Sequence, residues 1–290
     1  MNTEMAYLTG LVLGNGEIQQ NNRETTVTID LPYKNLYTDD NKDVAIYVMA
    51  SVVDIRTIIE PLIGHSLAVS EQRHSTKLSF TKPNSEYVIR ELIRIVGAGR
   101  HHSTMTMSEE LFQMSTDERK SLLRGIADAT AYIRHSNMAF GKNGMHRVYI
   151  EIPNNWYMVT DIANMLKSVD VPIQTIDFGH PNFRDSQKKK YNEGKTDFWK
   201  KEHQIKIYAN EFLPIGFSIR HKQQALAKYA KELLEYADSY FTHKYYWEKN
   251  VRHTHKPIHP CENDPSLPTE IRSKHFDSWT DLAKLLGYGK

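Results

Sequence analysis

The fold is decided by the stretch LTGLVLGNGEI at residues 8–18, whose pattern recurs 115 positions later as LRGIADATAYI at residues 123–133. Each copy is an apolar, helix-like stretch with a glycine at its third position, and small residues precede a β-like segment. Glycine inside a helix costs about 1 kcal/mol relative to alanine, and close packing of two helices is the usual compensation. We therefore expect the two helices to touch along a seam of small residues, namely Gly10, Gly14, Gly125 and Ala129.

The segments that follow the two copies also match, which argues against a chance likeness of two core helices. After the first copy we expect a hairpin at 17–31, a helix at 44–63, a hairpin at 66–81 and a helix at 84–96. After the second we expect strands at 132–140 and 147–152, a helix at 156–168, strands near 171–178 and 204–208, and a helix at 222–239. The chain then divides into a repeat at 1–100, a linker at 101–115, a repeat at 116–239 and an extension at 240–290.

Both copies resemble the LAGLIDADG motif of homing endonucleases, with Leu8 and Leu123 at its first letter. The stretch FLPIGF at 212–217, followed by Lys222 and Leu226, resembles the closing segment of that family, so the likeness covers residues 5–238. It implies an α+β fold of two pseudo-symmetric αββαββα repeats in one chain. In that family the two sheets form a saddle over double-stranded DNA, and here a C-terminal extension follows.

The resemblance also locates the expected chemistry. The eighth letter of the motif is an acid that binds the catalytic divalent metal, but here it falls on Asn15 and Thr130. Magnesium prefers anionic oxygen ligands, so an amide and a hydroxyl should weaken metal binding greatly. We therefore assign no catalytic residue, no metal ligand and no cofactor, with Mg²⁺ required only if cleavage is retained. The nearby acids are Glu17 and Asp128.

Alternation of apolar and polar residues predicts which strand faces point outward. Val148, Ile150 and Ile152 should point to the core, which leaves the polar residues between them on the opposite face. Solvated faces are polar too, but combined with the resemblance these become surfaces that could read base edges in the major groove. The candidate DNA contacts are Gln19, Arg23, Thr26, Thr28, Arg73, Lys77, Arg134, Ser136, Arg147, Tyr149, Gln204 and Lys206, with Lys188, Lys189 and Lys190 from a basic run at 181–206.

Composition is that of a soluble globular chain of one or two domains, with 290 residues, 25% charged and 40% hydrophobic. No apolar run approaches the ~20 residues of a membrane span, and we expect no signal peptide. The single cysteine, Cys261, excludes an intramolecular disulfide and suits a reducing compartment, so we expect a cytoplasmic or nucleoid-associated protein. A net charge of +2 is low for a nucleic-acid binder unless basic residues cluster.

The extension carries two separate patterns. His253, His255, His259 and Cys261 are ligand types that zinc uses, but their spacing fits no structural zinc pattern, and the prolines among them favour a linker. Residues 278–287 are typical of a capped amphipathic helix that ends at Gly287. We expect this helix to dock on the chain itself or on a protein partner.

These observations favour a sequence-specific double-stranded DNA-binding protein, derived from a homing endonuclease, that has lost metal-dependent cleavage. Such a chain could be the target-recognition subunit of a restriction or regulatory system. Two alternatives stay open, an active site-specific DNA endonuclease that uses Mg²⁺ and an RNA maturase. Cleavage of duplex targets would identify the first, and competition between duplex DNA and intron RNA would identify the second.

Overall fold

A computed structural model describes residues 1–36, 38, 44–134, 146–153, 155–173, 175–177 and 202–240. Several predictions lie outside these residues. They are the candidate DNA contacts Ser136, Lys188, Lys189 and Lys190, the three histidines and the cysteine considered as zinc ligands, and the predicted docking helix at 278–287. Among the described residues, no helix combines the length and apolar character needed to cross a membrane.

The first repeat contains seven elements in the predicted order. They are α1 (Thr3–Asn15), β1 (Gly16–Gln20), β2 (Glu24–Pro32), α2 (Val44–Ile63), β3 (Ala68–Glu71), β4 (Ser75–Pro83) and α3 (Tyr87–Val96). The predicted helix at 84–96 begins later, at Tyr87, because Glu86 N–H closes a turn onto the Pro83 carbonyl. The strands, together with β5 (Arg100–His101), form an antiparallel sheet in the order β3-β4-β2-β1-β5.

The second repeat has the same order, which confirms the predicted α+β fold of two αββαββα units. It contains α5 (Thr116–Thr130), β6 (Ala131–Arg134), β7 (Arg147–Pro153), α6 (Trp156–Ser168), β8 (Thr175–Asp177), β9 (Glu202–Tyr208), α7 (Ala209–Phe212) and α8 (Arg220–Tyr240). Its antiparallel sheet runs β6-β7-β9-β8. Between the repeats, β5, a 3₁₀ turn at His102–Thr104 and α4 (Glu109–Phe112) bury Met105 and Leu111.

Helices α1 and α5 begin at strong caps and pack closely against each other. Asn2 caps α1 by accepting from Met5 N–H, and Ser115 forms a capping box with Glu118 at the start of α5. A Cβ added to Gly10 would overlap the Leu122 carbonyl, and one added to Gly125 would overlap the Tyr7 carbonyl. The helices therefore lie in backbone contact, with Gly10 beside its counterpart Gly125.

The same packing brings the ends of the two helices together. A Cβ on Gly14 would lie 3.1 Å from the Thr130 methyl carbon, and Ala129 is fully buried beside it in sequence. Positions 115 apart thus meet at Gly10 and Gly125, and again near the carboxyl ends. The two helices run in parallel, and each feeds its sheet from the same end, which gives the molecule its pseudo-two-fold arrangement.

Candidate nucleic-acid interface

The outward face of the first sheet is polar and accessible. In β2, Val27, Ile29 and Leu31 are fully buried, as the alternation predicts, while the residues between them are half-buried. Register places Gln19 opposite Thr26 and Thr26 opposite Thr81, so one row of polar side chains crosses β1, β2 and β4. The Thr26 and Thr81 hydroxyls lie 2.8 Å apart. This face presents hydrogen-bonding groups across three neighbouring strands.

Basic residues lie on this face and in its hairpin turns. Lys77 is exposed and lies opposite Asp30 in the register of β2 and β4. Arg23 is exposed in the turn between β1 and β2, where Asn21 Oδ1 accepts from the backbone N–H groups of Arg23 and Glu24. Arg73 is exposed in the turn between β3 and β4. The structure thus brings all six first-repeat candidates to one face or to its hairpin turns.

The outward face of the second sheet is different, and the expected exposure of two candidates there is wrong. Tyr149 is only 5% exposed and Gln204 only 2%. The Tyr149 ring stacks on Tyr132, with centroids 5.1 Å apart and planes 9° from parallel. The Gln204 amide donates to the Tyr132 hydroxyl at 2.8 Å and to Glu151 Oε1 at 2.7 Å. Contacts between side chains of the sheet therefore engage the Tyr149 ring and the Gln204 amide, which the alternation alone predicted to face solvent.

Glu151 is the centre of this network and joins the two repeats. Its Oε1 accepts from the Tyr132 hydroxyl at 2.8 Å, and its Oε2 pairs with Lys34 Nζ at 2.6 Å. Lys34 lies in the 3₁₀ turn that follows β2, so the ion pair crosses from the first repeat to the second. Burial raises the pKa of Tyr132, and the Glu151 charge raises it further. The Tyr132 hydroxyl is thus a fixed donor at neutral pH.

Two arginines lie directly opposite each other in the register of β6 and β7. They are Arg134, which is exposed, and Arg147, which is half-buried. The Arg134 guanidinium lies over Tyr132 at 4.9 Å and over Tyr149 at 5.1 Å from the ring centroids. The Arg147 guanidinium lies 5.6 Å from the Tyr208 centroid, and its Nε is buried without a hydrogen-bond partner. Within the described residues, neither arginine pairs with a carboxylate.

Lys206 completes the set of second-repeat candidates. It is half-buried on β9, opposite Tyr149, and its Nζ lies 6.0 Å from the Tyr149 centroid. Arg134 and Lys206 thus lie beside the stacked rings of Tyr132 and Tyr149, and Arg147 lies beside Tyr208. Three cations therefore lie on one face of the second sheet.

The ends of the paired helices do not fit a magnesium site. Asn15 Nδ2 donates to the Asp30 carbonyl at 2.8 Å, and the buried Thr130 hydroxyl donates to the Ile126 carbonyl at 2.6 Å. Neither side chain carries charge, and both are engaged with backbone carbonyls. Among the described residues, no group of three or more His, Cys, Asp or Glu side chains could hold a metal ion.

A buried ammonium group at the end of α5 disfavours a cation further. Lys222 Nζ donates to the carbonyls of Ala127 at 3.0 Å, Asp128 at 3.2 Å and Ala131 at 2.7 Å. Burial lowers the pKa of Lys222 to about 8, which still leaves the group charged at neutral pH. Its charge matches the negative end of the helix dipole.

Asp128 lies in the core and is occupied by the protein itself. Its Oδ2 accepts from the Tyr7 hydroxyl at 2.8 Å and from Ser218 N–H at 2.9 Å. Burial raises the pKa of Asp128, and the Lys222 charge opposes that rise. The other nearby acid, Glu17, is half-buried on β1 and accepts from Gln19 Nε2 at 2.8 Å. In the part of the chain that the structure describes, neither acid belongs to a group of three or more His, Cys, Asp or Glu side chains that could hold a metal ion.

Sequence patterns missed the residues that organise the interface. Lys34 and Asp54 belong to no recognisable motif, and both contact residues that are distant in sequence. Lys34 pairs with Glu151, and Asp54 accepts from Arg220 N–H at 2.8 Å at the start of α8. Lys222 stands in the closing stretch, but nothing in that stretch indicates a buried cap of α5. Of these residues, only Glu151 lies in a stretch whose alternation predicted its position. The alternation indicated that Glu151 faces outward, but not that it contacts three other side chains.

Similar solved structures include LAGLIDADG homing endonucleases, the family that the two motifs resemble. A variant of I-DmoI in complex with its target DNA is 12% identical, with a TM-score of 0.42, over 76% of this chain and 96% of that one. A variant of I-SmaMI is 7% identical, with a TM-score of 0.43, over 87% and 97%. The homing endonuclease I-LtrWI bound to target DNA is 10% identical, with a TM-score of 0.41, over 87% and 98%. Neither a family model nor a curated protein matches the sequence.

Proposed function

We propose that this chain is a sequence-specific double-stranded DNA-binding protein that does not itself cleave DNA by a metal-dependent mechanism. The observation that carries the proposal is the pair Arg134 and Arg147, which face each other across two strands with no carboxylate partner among the described residues. Like charges directly opposite in a sheet are destabilising, and so is a buried Nε without a partner. A polyanion that binds both guanidinium groups would offset the repulsion between them.

Duplex DNA fits this surface better than an isolated anion. Phosphate oxygens accept paired hydrogen bonds from arginine, and strands of a twisted sheet can lie in the major groove. The first sheet adds a row of hydroxyl and amide groups at Gln19, Thr26 and Thr28, which suit base edges rather than phosphates. Cations on both sheets, among them Lys77 and Arg147, and neutral polar groups beside them combine affinity with sequence reading.

The donor chemistry at the helix ends supports a loss of cleavage. Asn15 and Thr130 bring no negative charge, and Lys222 brings a positive one. A divalent cation that must neutralise a developing phosphorane charge therefore has no anionic ligands here. Cleavage that used Asp128 would require this carboxylate to leave a site where Tyr7 and Ser218 hold it. A role in restriction or regulation, with another chain supplying catalysis, stays a prediction.

The test is selection of bound duplexes from a random library, with and without Mg²⁺, followed by mapping of cut ends. We expect one asymmetric consensus of about 10–20 base pairs, uncut in both conditions. No enrichment would contradict DNA recognition, and cut ends that require Mg²⁺ would contradict the loss of cleavage. Structured RNA that displaces the selected duplex at equal concentration would favour the maturase alternative instead.

Two variants that each remove one positive charge test directly whether Arg147 contacts the DNA. Arg147→Gln should weaken binding and reduce the slope of log K against log salt by about one. Arg94→Gln removes the same charge from α3, where Arg94 pairs with Glu91 at 2.7 Å, and should leave the slope unchanged. Equal slopes for both variants would remove Arg147 from the interface.

A further inference from the structure

We propose that Arg134 reads a guanine in the DNA target and that the stacked rings of Tyr132 and Tyr149 hold its guanidinium ready to do so. The inference rests on the proposed DNA-binding function and deepens it by assigning one base to one side chain. It starts from an unusual placement: Arg134 is exposed, yet its guanidinium lies about equally close to two buried or half-buried rings, at 4.9 and 5.1 Å.

The two tyrosine rings form a rigid support for the arginine. Their rings are nearly parallel, at 9°, because Tyr132 on β6 lies directly opposite Tyr149 on β7. A guanidinium within about 6 Å of an aromatic centroid gains a cation–π attraction, and this contact leaves its N–H donors available for hydrogen bonds. The side chain therefore loses little further rotamer freedom when it binds.

The pair of tyrosine rings is itself held in place by contacts that reach the first repeat. The Tyr132 hydroxyl donates to Glu151 and accepts from Gln204, and Lys34 neutralises Glu151 from the first repeat. This series of contacts leads from the turn after β2 to the arginine on β6. The position of Arg134 thus depends on the relative placement of the two repeats, which is what a reader of a fixed base position requires.

Guanine is the base that this arrangement selects. It presents two acceptors, N7 and O6, on its major-groove edge, and the paired N–H donors of arginine match them. Adenine places an amino donor where guanine has O6, so arginine matches only one of its atoms. A free phosphate contact would use the same donors but would carry no sequence preference.

The first repeat supplies a natural control. Gln19 stands 115 positions before Arg134, at the same place in β1 that Arg134 holds in β6, and its amide is tied to Glu17 rather than to an aromatic ring. Glutamine is chemically suited to adenine rather than guanine. The pseudo-symmetric positions therefore carry different chemistry, and the inference predicts a target that differs between its two halves.

The experiment repeats the library selection with wild type, Arg134→Ala, Arg134→Lys, Tyr149→Leu and Gln19→Ala. We expect a guanine in the wild-type consensus whose preference falls about 10-fold or more in both Arg134 variants, since lysine lacks the paired donors. Tyr149→Leu should weaken the same preference and leave other positions unchanged. Gln19→Ala should keep the guanine and relax a different base pair.

The outcomes separate the inference from the function on which it rests. If Arg134→Ala weakens binding equally at every sequence and lowers the salt slope by about one, Arg134 binds a phosphate and the inference is wrong. If Tyr149→Leu, folded by circular dichroism, keeps the full guanine preference, the tyrosines do not position the arginine. A wild-type chain that selects no duplex at all overturns the proposed function itself.

Discussion

The hydroxyl of Tyr7 donates a 2.8 Å hydrogen bond to the carboxylate of Asp128, and both groups are buried between the paired helices. This bond links α1 to α5 across 121 positions of the chain. The same carboxylate accepts from Ser218 N–H, just before α8, so three elements meet on one acid. Asp128, the only acid inside the second motif, therefore acts in stability.

Asp128→Asn should destabilise the fold strongly. The amide oxygen can still accept from Tyr7 and Ser218, but an NH₂ group replaces the oxygen that faces Ile219 N–H, and the buried Lys222 ammonium loses its counter-charge. Breaking a buried charged pair on one side costs about 3–5 kcal/mol. Urea unfolding at pH 7 measures the free energy of unfolding, and Tyr7→Phe, which removes one donor, should cost about 1–3 kcal/mol. An unchanged free energy for Asp128→Asn would mean that the acid is not part of this network.

Gly125→Ala should destabilise the chain far more than Gly14→Ala. The added methyl at Gly125 meets backbone, the Tyr7 carbonyl and the Leu11 nitrogen, which can yield only if the two helices separate. At Gly14 the nearest atoms are the Thr130 methyl carbon at 3.1 Å and the Ile126 backbone at 3.3 Å, so that a much smaller displacement than at Gly125 is needed. Overpacking of a tight core costs about 1–3 kcal/mol or more. Thermal unfolding of the two variants side by side gives the comparison, and equal melting temperatures would contradict close contact at Gly125.

Asp161 should contribute a decrease in the free energy of unfolding as pH rises from about 4 to 6. Burial raises the pKa of Asp161 from 3.8 to about 6, although the Met107 N–H donates to it at 2.8 Å. Between these values the unfolded chain releases this proton while the folded chain keeps it, so the contribution of Asp161 to the free energy of unfolding decreases with pH and stays low above 6.

Asp161→Asn should remove this decrease. Its amide oxygen can still accept from Met107 N–H, so the variant should match wild type near pH 4 and exceed it at pH 7 by at most about 3 kcal/mol. Urea unfolding at half-unit pH steps makes the comparison. Curves that stay parallel from pH 4 to pH 7 would show that Asp161 titrates normally.

Acids at the two helix ends should make stability depend on magnesium. In Asn15→Asp combined with Thr130→Asp, a carboxylate is added at the negative end of each of two neighbouring helix dipoles, which lowers the melting temperature without metal. Mg²⁺ should restore part of the loss in this variant and leave wild type unchanged, as measured by thermal unfolding with and without the ion. A wild-type melting temperature that rises equally with Mg²⁺ would mean that other groups already bind it.

The strength of the sequence prediction varied with the type of element. The helices at 44–63 and 156–168 match α2 and α6 at both ends, because their apolar periodicity is local. Burial in β2 also followed the alternation, since one face of that strand meets the core and the other does not. The second sheet departed from it at Tyr149 and Gln204, where partners on other strands and in the other repeat removed the expected exposure.

By itself, the sequence determined the duplicated αββαββα order and the seam, because glycine spacing and residue periodicity are properties of neighbouring positions. It also determined that Asn15 and Thr130 carry no charge where the motif expects acids. Only the tertiary structure decided which distant partners the buried charges have. Asp128 accepts from Tyr7 in the core, Lys222 caps α5, and Lys34 pairs with Glu151. These contacts join residues roughly 90–120 positions apart, and the energy of a buried charge depends on partners that no local pattern encodes.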